Sequence, residues 1–415
     1  MATRSTPTAA TGNAPSYVGP FITVAILFGI FGFLTSLNNV LVKKLEDIFQ
    51  LSHGPAMLAT AAWFLAYLVF SVPAAKVIEK VGYKRTMVIS LLVMACGALL
   101  FLPAANMVSF PMTLFAIFIL ASGVCGLQTS ANPYVSILGP EHSAPARLTL
   151  AQAFNSIGSF AAPWVAGVFI LSGSNLAADA HATAHMLQGP YIAIAAALLL
   201  LSFAVMMMHL PAITGTRDFR PGDVASGRSI WSYSHTVLGM VGIFFYVGLE
   251  IALAAITIQF CLSQGMTKVE TASLMVSLFY FGMMVGRLLG SFIMVWIKAE
   301  KLLVLLGGLG VALLLTAMFT HGTVAIACLV LTGIANSVMY PNIFALGIAE
   351  LGPLTSKGSG VITIGNVGGA ILPPLFGFVA DRVGIQYAFF IPIVGYLFVV
   401  YYGLVGYKPS RVAKA

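Results

Sequence analysis

Long apolar blocks separated by short polar stretches run along almost the whole chain. Breaking the sequence at Gly, Pro and charged positions gives twelve candidate helices, numbered here as spans 1 to 12. They cover about residues 18–42, 57–78, 85–103, 106–138, 147–172, 188–211, 233–262, 270–296, 301–319, 322–349, 358–379 and 385–406. Each approaches or exceeds the ~17–25 residues that a helix needs to cross a bilayer. The pattern therefore predicts an all-α membrane protein with twelve transmembrane helices.

Composition strengthens this prediction. The 415 residues are 59% hydrophobic and only 8% charged, whereas soluble domains carry about 25% charged residues. So few charges cannot cover the surface of a water-soluble fold, which excludes a nucleic-acid-binding protein, a secreted disulfide scaffold and a cytosolic enzyme. The four cysteines all fall within apolar stretches, so no disulfide is predicted.

The widest polar gap between spans divides them six and six. We predict five regions along the chain: a cytoplasmic tail (1–17), an N-terminal six-helix bundle (18–212), a cytoplasmic linker (213–230), a C-terminal six-helix bundle (231–407) and a second cytoplasmic tail (408–415).

Basic residues are distributed unequally between alternate loops. With the N-terminus inside, 15 of the 20 Lys and Arg residues lie on the cytoplasmic side and 4 on the outer side, leaving Arg287 within a span. This bias predicts that both termini are cytoplasmic. We expect a multi-pass protein of the bacterial inner membrane.

The two halves also resemble each other at a fixed offset of 210 residues. The matching pairs are Gly123 and Gly333, Asn132 and Asn342, Gly158 and Gly368, Pro163 and Pro373, and Gly167 and Gly377. Spans 4 and 5 therefore repeat as spans 10 and 11. Pseudo-symmetric six-helix bundles around a central cavity are typical of the major facilitator fold, whose substrate site lies near the bilayer midplane.

Neutral polar residues recur within the spans. The predicted substrate-binding residues are Asn38, Asn39, Gln128, Asn132, Gln152, Asn155, Tyr340 and Asn342. Polar side chains at membrane depth are costly unless they face protein or water, and the spacings within spans 4 and 5 put each amide pair on one side of its helix. Uncharged amides that donate and accept hydrogen bonds suit a neutral sugar. The alternative is that they simply bond neighbouring helices.

Two charged residues lie deeper than the others. Glu250 is the only acid placed in the middle of a span, so it is a candidate for proton exchange, although a structural carboxyl with a polar partner is an equal alternative. For Arg287 we favour a structural ion pair or a helix-end contact near the cytoplasmic side over a contact with substrate.

Two loops carry charge patterns typical of gating contacts in major facilitator proteins. Glu79, Lys84 and Arg85 follow span 2, and Asp381 and Arg382 follow span 11. The sequence contains no GxxxxGK phosphate loop, and we predict no cofactor and no metal site.

Several stretches in both halves resemble the fucose/glucose/galactose:proton symporter branch of the major facilitator superfamily. They are SLNNVLVKKL, GLQTSANPYVSILGPE, AQAFNSIGS, SVMYPNIFALGI and GSGVITIGNVGGAILPPLFGFVADRVGIQYAFFIP. The resemblance implies an inward sugar carrier that works by alternating access. It also implies that Gln152, Asn155 and Tyr340 occupy sugar-contact positions.

This chain departs from that branch at two carboxylates. Asn39 stands where the family has a protonatable Asp, and Gln128 stands where its fucose-specific members have a Glu. An amide cannot take up and release a proton near neutral pH. The chain is therefore an uncoupled facilitator, or it couples through Glu250, or it uses sodium.

The sequence thus predicts a transporter, and not an enzyme, for a neutral hexose such as glucose, galactose or mannose. The expected partners are the sugar, membrane lipid and, for a symporter, a proton or sodium ion; no nucleic acid is expected, and the protein is expected to be a monomer. One alternative, still a carrier, is an exporter of amphipathic compounds, and the alternative from another class is a sugar-sensing membrane receptor without flux.

Overall fold

The computed structural model of the protein describes residues 18–49, 53–107, 109–166, 188–208 and 229–409. The predicted N-terminal tail, most of the predicted linker and residues 410–415 of the predicted C-terminal tail lie outside these ranges. The domain boundaries proposed from the sequence therefore stay predictions.

The described residues are mostly helical. In the first half the helices are α1 (Val18–Phe49), α2 (His53–Asn106), α3 (Phe110–Ile137), α4 (Ala144–Ala166) and α5 (Gln188–Met207). In the second half they are α6 (Ser234–Ser263), α7 (Val269–Ile293), α8 (Ala299–Phe319), α9 (Gly322–Asn336), α10 (Met339–Gly347), α11 (Thr355–Ile364), α12 (Gly368–Val383), α13 (Ile385–Ala388) and α14 (Phe390–Tyr401). Each predicted span overlaps at least one of them.

Spans 2 and 3 are two helices, as predicted, and they follow each other within one helical range, α2, without an irregular loop between them. This range is interrupted only at Gly82, whose φ of 82° and ψ of 170° lie outside the helical region. Glycine has no Cβ and adopts a positive φ without strain. The predicted charged loop is therefore reduced to a break at Gly82 between the two helices. Span 1 also extends further than predicted, to Phe49.

The last three spans are broken. Span 10 is divided between α9 and α10, and span 11 is divided by a single 3₁₀ turn at Gly365–Val367. Span 12 consists of α13 and α14 followed by a π-helical turn at Tyr402–Gly406. Such breaks are tolerated at membrane depth because neighbouring helices satisfy the freed backbone groups.

The outer surface of this helical assembly is strongly apolar. Within the described ranges, nine helical segments are long and apolar enough to cross a membrane, and one of them, Leu58–Asn106, contains 49 residues and two predicted spans. Large apolar side chains such as Leu200 (71% exposed) and Phe319 (72% exposed) face outward. Soluble monomers rarely expose apolar patches of this extent, so the protein is a multi-pass membrane protein.

In each half, glycine allows close approaches between helices, and one such approach is repeated in both halves. A methyl group at Gly158 of α4 would overlap the carbonyl oxygen of Gly29 in α1, and one at Gly368 at the start of α12 would overlap the carbonyl oxygen of Phe244 in α6. Small residues allow such contacts between membrane helices. Because Gly158 and Gly368 are 210 residues apart, the internal repeat also appears in the packing.

The two halves pack against each other through contacts of α2 with α11 and α12, of α3 with α10 and α11, and of α4 with α7 and α10. Near the face predicted to be cytoplasmic, the Ser359 hydroxyl donates to the Thr129 carbonyl oxygen over 2.6 Å. A methyl at Gly360 would lie 2.7 Å from the Cβ of Ala75. These contacts hold the halves together on that side.

Candidate substrate-binding site

Tyr340 lies where the two halves meet and is only 5% exposed. The Nε2 atom of Gln128 donates to its hydroxyl over 2.6 Å, and the Nδ2 atom of Asn132 donates to the same hydroxyl over 3.4 Å. The two amides share one side of α3 because they are four residues apart. The structure thus brings three of the predicted binding residues together across the boundary between the halves.

These amides keep unused hydrogen-bonding capacity. Among the described residues, no partner is present for the Oε1 atom of Gln128, the Oδ1 atom of Asn132 or the Nε2 atom of Gln152, all of which are buried. A buried polar atom without a partner costs about 1–3 kcal/mol. Two acceptor atoms and one donor atom can therefore form hydrogen bonds with a ligand group that both donates and accepts them, as a hydroxyl does.

Asn155 has protein partners at both ends of its side chain. Its Nδ2 atom donates to the Phe28 carbonyl oxygen in α1 over 3.2 Å, and its Oδ1 atom accepts from Nη1 of Arg287 over 3.5 Å. This arrangement matches the alternative considered above, in which an amide bonds neighbouring helices. Its proximity to Gln152, three residues earlier on α4, keeps it beside the candidate site.

Asn342 lies apart from this group. Its Nδ2 atom donates to the Ala299 carbonyl oxygen at the start of α8 over 3.4 Å. It lies two positions after Tyr340, which places it about 200° around α10. Asn38 and Asn39 belong to α1, but the positions of their side chains lie outside the described part of the chain.

Arg287 is 6% exposed and bonds to neutral oxygens in both halves. Its Nη1 atom donates to the Ser156 hydroxyl (2.6 Å), the Gln152 carbonyl oxygen (3.2 Å) and the Asn155 Oδ1 atom (3.5 Å), all on α4, and its Nε atom donates to the Ser337 carbonyl oxygen (3.1 Å). The sequence favoured an ion pair or a helix-end contact and missed these bonds across the halves. No local sequence signal could have revealed them.

The break in span 10 explains one of these bonds. Proline has no backbone N–H, so Pro341 cannot donate to the carbonyl oxygen four residues earlier, which is that of Ser337. This oxygen is the one that accepts from Nε of Arg287. The guanidinium thus replaces a hydrogen bond that the proline removes.

Glu250 on α6 lies in a cluster of charged and phenolic side chains. It interacts electrostatically with Arg287, Tyr246, Tyr280, Tyr340 and Tyr396. The Tyr246 hydroxyl, which interacts with both Glu250 and Arg287, makes no hydrogen bond of standard geometry within the described residues. The Tyr396 hydroxyl donates to the Oδ1 atom of Asn336 over 2.7 Å. The cluster places one carboxyl group beside one guanidinium.

The predicted gating residues have different surroundings. Glu79 forms a 3.6 Å ion pair with Lys357 of the other half, and Lys84 donates to the carbonyl oxygens of Met206 (2.8 Å) and Met208 (2.7 Å) near the end of α5. Arg85 and Asp381 are exposed. The guanidinium of Arg382 lies 3.5 Å from the centre of the Phe378 ring. Of these five residues, Glu79 is the one with a contact between the halves in the described part of the chain.

The family model of the Major Facilitator Superfamily matches residues 24–365. With a helical fold whose two halves meet around a buried polar cluster, the chain belongs to this superfamily of transporters. Within the described ranges, no three His, Cys, Asp or Glu side chains are grouped so that they could hold a metal ion.

The chain is similar along nearly its full length to proteins named as sugar transporters. The glucose/galactose transporter of Brucella abortus biovar 1 (strain 9-941) is 38% identical over 403 residues, which cover 96% of each chain. The L-fucose-proton symporter of Escherichia coli (strain K12) is 31% identical over 90% of this chain and 89% of that protein. The crystal structure of the major facilitator transporter FucP in the outward conformation gives a TM-score of 0.85, with 29% identity over 96% of this chain and 100% of that one.

Proposed function

We propose that the protein transports a neutral hexose across the bacterial inner membrane by alternating access. The observation that carries this proposal is the cluster of Gln128, Asn132 and Tyr340, which joins α3 of one half to α10 of the other and keeps two buried oxygens without partners among the described residues. The similarity to transporters named for glucose, galactose and fucose supports a sugar as substrate.

The chemistry of the cluster favours an uncharged, hydroxyl-rich ligand. A sugar hydroxyl can donate to the free oxygen of Gln128 or Asn132 and can accept from Nε2 of Gln152. An anionic substrate would call for a free basic group, whereas Arg287 already donates hydrogen bonds to neutral protein oxygens. Glucose, galactose and mannose meet these requirements, and fucose is a less favoured candidate.

Alternating access requires that the substrate bind between halves that separate on one side at a time. The Glu79–Lys357 ion pair and the Ser359–Thr129 hydrogen bond hold the halves together on the face proposed to be cytoplasmic. Rocking of the halves would break these contacts and release the sugar on that side. Both termini are proposed to lie there as well, from the distribution of basic residues.

The test is counterflow of labelled sugar in proteoliposomes, which needs binding and movement of the halves but no ion gradient. We expect saturable exchange of glucose, galactose or mannose. Gln128→Ala should reduce it strongly, and the matched control Gln188→Ala, at the start of α5, should not. Binding without exchange would favour the receptor hypothesis and would contradict the proposal, and export of amphipathic compounds without sugar exchange would favour an exporter.

A further inference from the structure

We propose that Glu250 is the proton-coupling group of this transporter and that it acts on the contact between the halves through Arg287. This inference rests on the proposed sugar transport. It assigns coupling to the second half of the protein, in a chain whose spans 1 and 4 carry Asn39 and Gln128 instead of acids.

Arg287 connects Glu250 to the contact between the halves, because its hydrogen bonds are divided between them. Three of its acceptors belong to α4 of the first half, and the fourth, the Ser337 carbonyl oxygen, belongs to its own half. All four are neutral. A guanidinium held by neutral oxygens at membrane depth remains attracted to any carboxylate nearby, and Glu250 is the acid with which it interacts.

Glu250 is also the member of its cluster that can exchange a proton. The titratable groups facing it are Arg287 and Tyr280 on α7, Tyr246 on its own helix, Tyr340 on α10 and Tyr396 on α14. Tyrosine and arginine side chains hold their protons near neutral pH, whereas a carboxyl group can gain or lose one. Proton uptake here converts the Glu250 carboxylate to the neutral acid, and release on the other side of the membrane restores it.

The charge of Glu250 changes what Arg287 does. A carboxylate attracts the guanidinium strongly in a medium of low dielectric constant, in competition with the neutral oxygens of α4. The neutral acid exerts no such attraction, so the bonds from Arg287 to Ser156 and Gln152 persist. Proton occupancy of Glu250 and contact between α4 and α7 are therefore linked, and this linkage is reciprocal.

Sugar binding involves the same contact. Arg287 donates to the backbone oxygen of Gln152 and to the side-chain oxygen of Asn155, while the Nε2 atom of Gln152 is free for a ligand. A sugar bound to these amides orders the segment of α4 that Arg287 holds. The guanidinium of Arg287 thus links sugar binding, protonation of Glu250 and closure of the halves.

The guanidinium also favours a proton over a sodium ion. A metal ion at Glu250 would lie close to the positive charge of Arg287 and would be repelled by it. A proton adds no separate cation, because it neutralises the carboxylate. Sodium coupling is therefore a distinct outcome of the test.

The test compares two measurements on the same proteoliposomes. Counterflow without a gradient reports sugar exchange, and accumulation under an imposed pH gradient reports coupling. With one proton per sugar, a pH difference of one unit supports about tenfold accumulation. We expect this from the unmodified protein and from the control Glu141→Gln, whose acid is exposed in a short turn before α4. Glu250→Gln should keep counterflow and equilibrate sugar without concentrating it.

Each other outcome overturns the inference. Full counterflow without accumulation in the unmodified protein would define an uncoupled facilitator and leave the proposed transport intact. Accumulation driven only by a sodium gradient, or accumulation that survives Glu250→Gln, would place coupling elsewhere. If Glu250→Gln loses counterflow and also sugar binding in detergent, while Glu250→Asp restores both without accumulation, Glu250 is structural. Absence of counterflow in the unmodified protein would instead refute the proposed function.

Discussion

The amide of Gln128 donates a 2.6 Å hydrogen bond to the hydroxyl of Tyr340 across the boundary between the halves. This bond fixes the direction of the Gln128 side chain, because it uses Nε2 and leaves Oε1 buried with no partner in the described part of the chain. The orientation of the free oxygen therefore depends on a residue 212 positions away in the sequence. A site arranged in this way is organised before the sugar arrives.

Tyr340→Phe should weaken sugar binding while leaving the fold intact. The substitution removes the acceptor that orients Gln128 and Asn132 and keeps the ring. A hydrogen bond of this kind is worth about 0.5–1.5 kcal/mol, so affinity should fall about 2- to 10-fold. The half-saturation concentration of counterflow measures this affinity for sugar. The control is Tyr387→Phe, because Tyr387 is 58% exposed. Equal affinities for the two variants would argue against the site.

Glu79→Gln should favour separation of the halves at the face predicted to be cytoplasmic. The ion pair with Lys357 is partly exposed, at 34% for Glu79 and 48% for Lys357. Such pairs are worth about 0.2–1 kcal/mol, so the ratio of closed to open molecules should fall by no more than about fivefold. A cysteine introduced at the buried Ser359 should then react faster with a maleimide, measured against the native cysteines.

The charge-reversed pair Glu79→Lys with Lys357→Glu provides the control for this effect. It restores opposite charges at the same distance, so labelling at position 359 should return towards that of the unmodified pair. High salt should reduce the difference between the variants, because exposed charges are screened. Labelling rates that do not depend on the pair would show that it does not hold the halves together.

Gly158→Ala should destabilise the protein without touching a polar group. The added methyl would overlap the carbonyl oxygen of Gly29, so α1 and α4 would have to separate. Overpacking of this kind costs about 1–3 kcal/mol. We expect unfolding in detergent at a temperature lower by a few degrees. The control is Gly308→Ala, where a methyl would meet no atom within 4 Å, and equal unfolding temperatures would contradict the close approach.

The sequence was a good guide to features with local signals. Runs of apolar residues located the spans, and the 210-residue offset paired Gly158 with Gly368, which lie in matching close contacts in the structure. The offset did not predict the hydrogen-bond partners of the matching residues. Asn132 and Asn342 are equivalent in the repeat, yet one donates to Tyr340 in the other half and the other to Ala299 within its own half.

The hydrogen bonds of Arg287 show why the rest of the site could not be predicted from the sequence. They depend on the crossing of α4 and α7, which lie 131 residues apart at Ser156 and Arg287, and on a carbonyl oxygen freed by Pro341. The residues that neighbour Arg287 in the chain indicate neither the helix crossing nor the free carbonyl oxygen. A pattern that identifies a buried charge does not identify the oxygens that receive it.

Arg287→Lys provides the sharpest test of the contact between the halves. Lysine keeps the positive charge near Glu250, but its single ammonium group cannot reach both Ser337 in its own half and Ser156 in the other as the guanidinium does. Hydrogen bonds to charged groups are worth about 1.5–3 kcal/mol, so the maximal counterflow rate should change at least about tenfold. The half-saturation concentration should change much less, because Gln128, Asn132 and Tyr340 are untouched.

The control is Arg382→Lys, whose guanidinium lies on the Phe378 ring far along the chain from the site. A counterflow rate equal to that of the control would mean that the positive charge alone suffices and that the forked bonds do not govern movement of the halves.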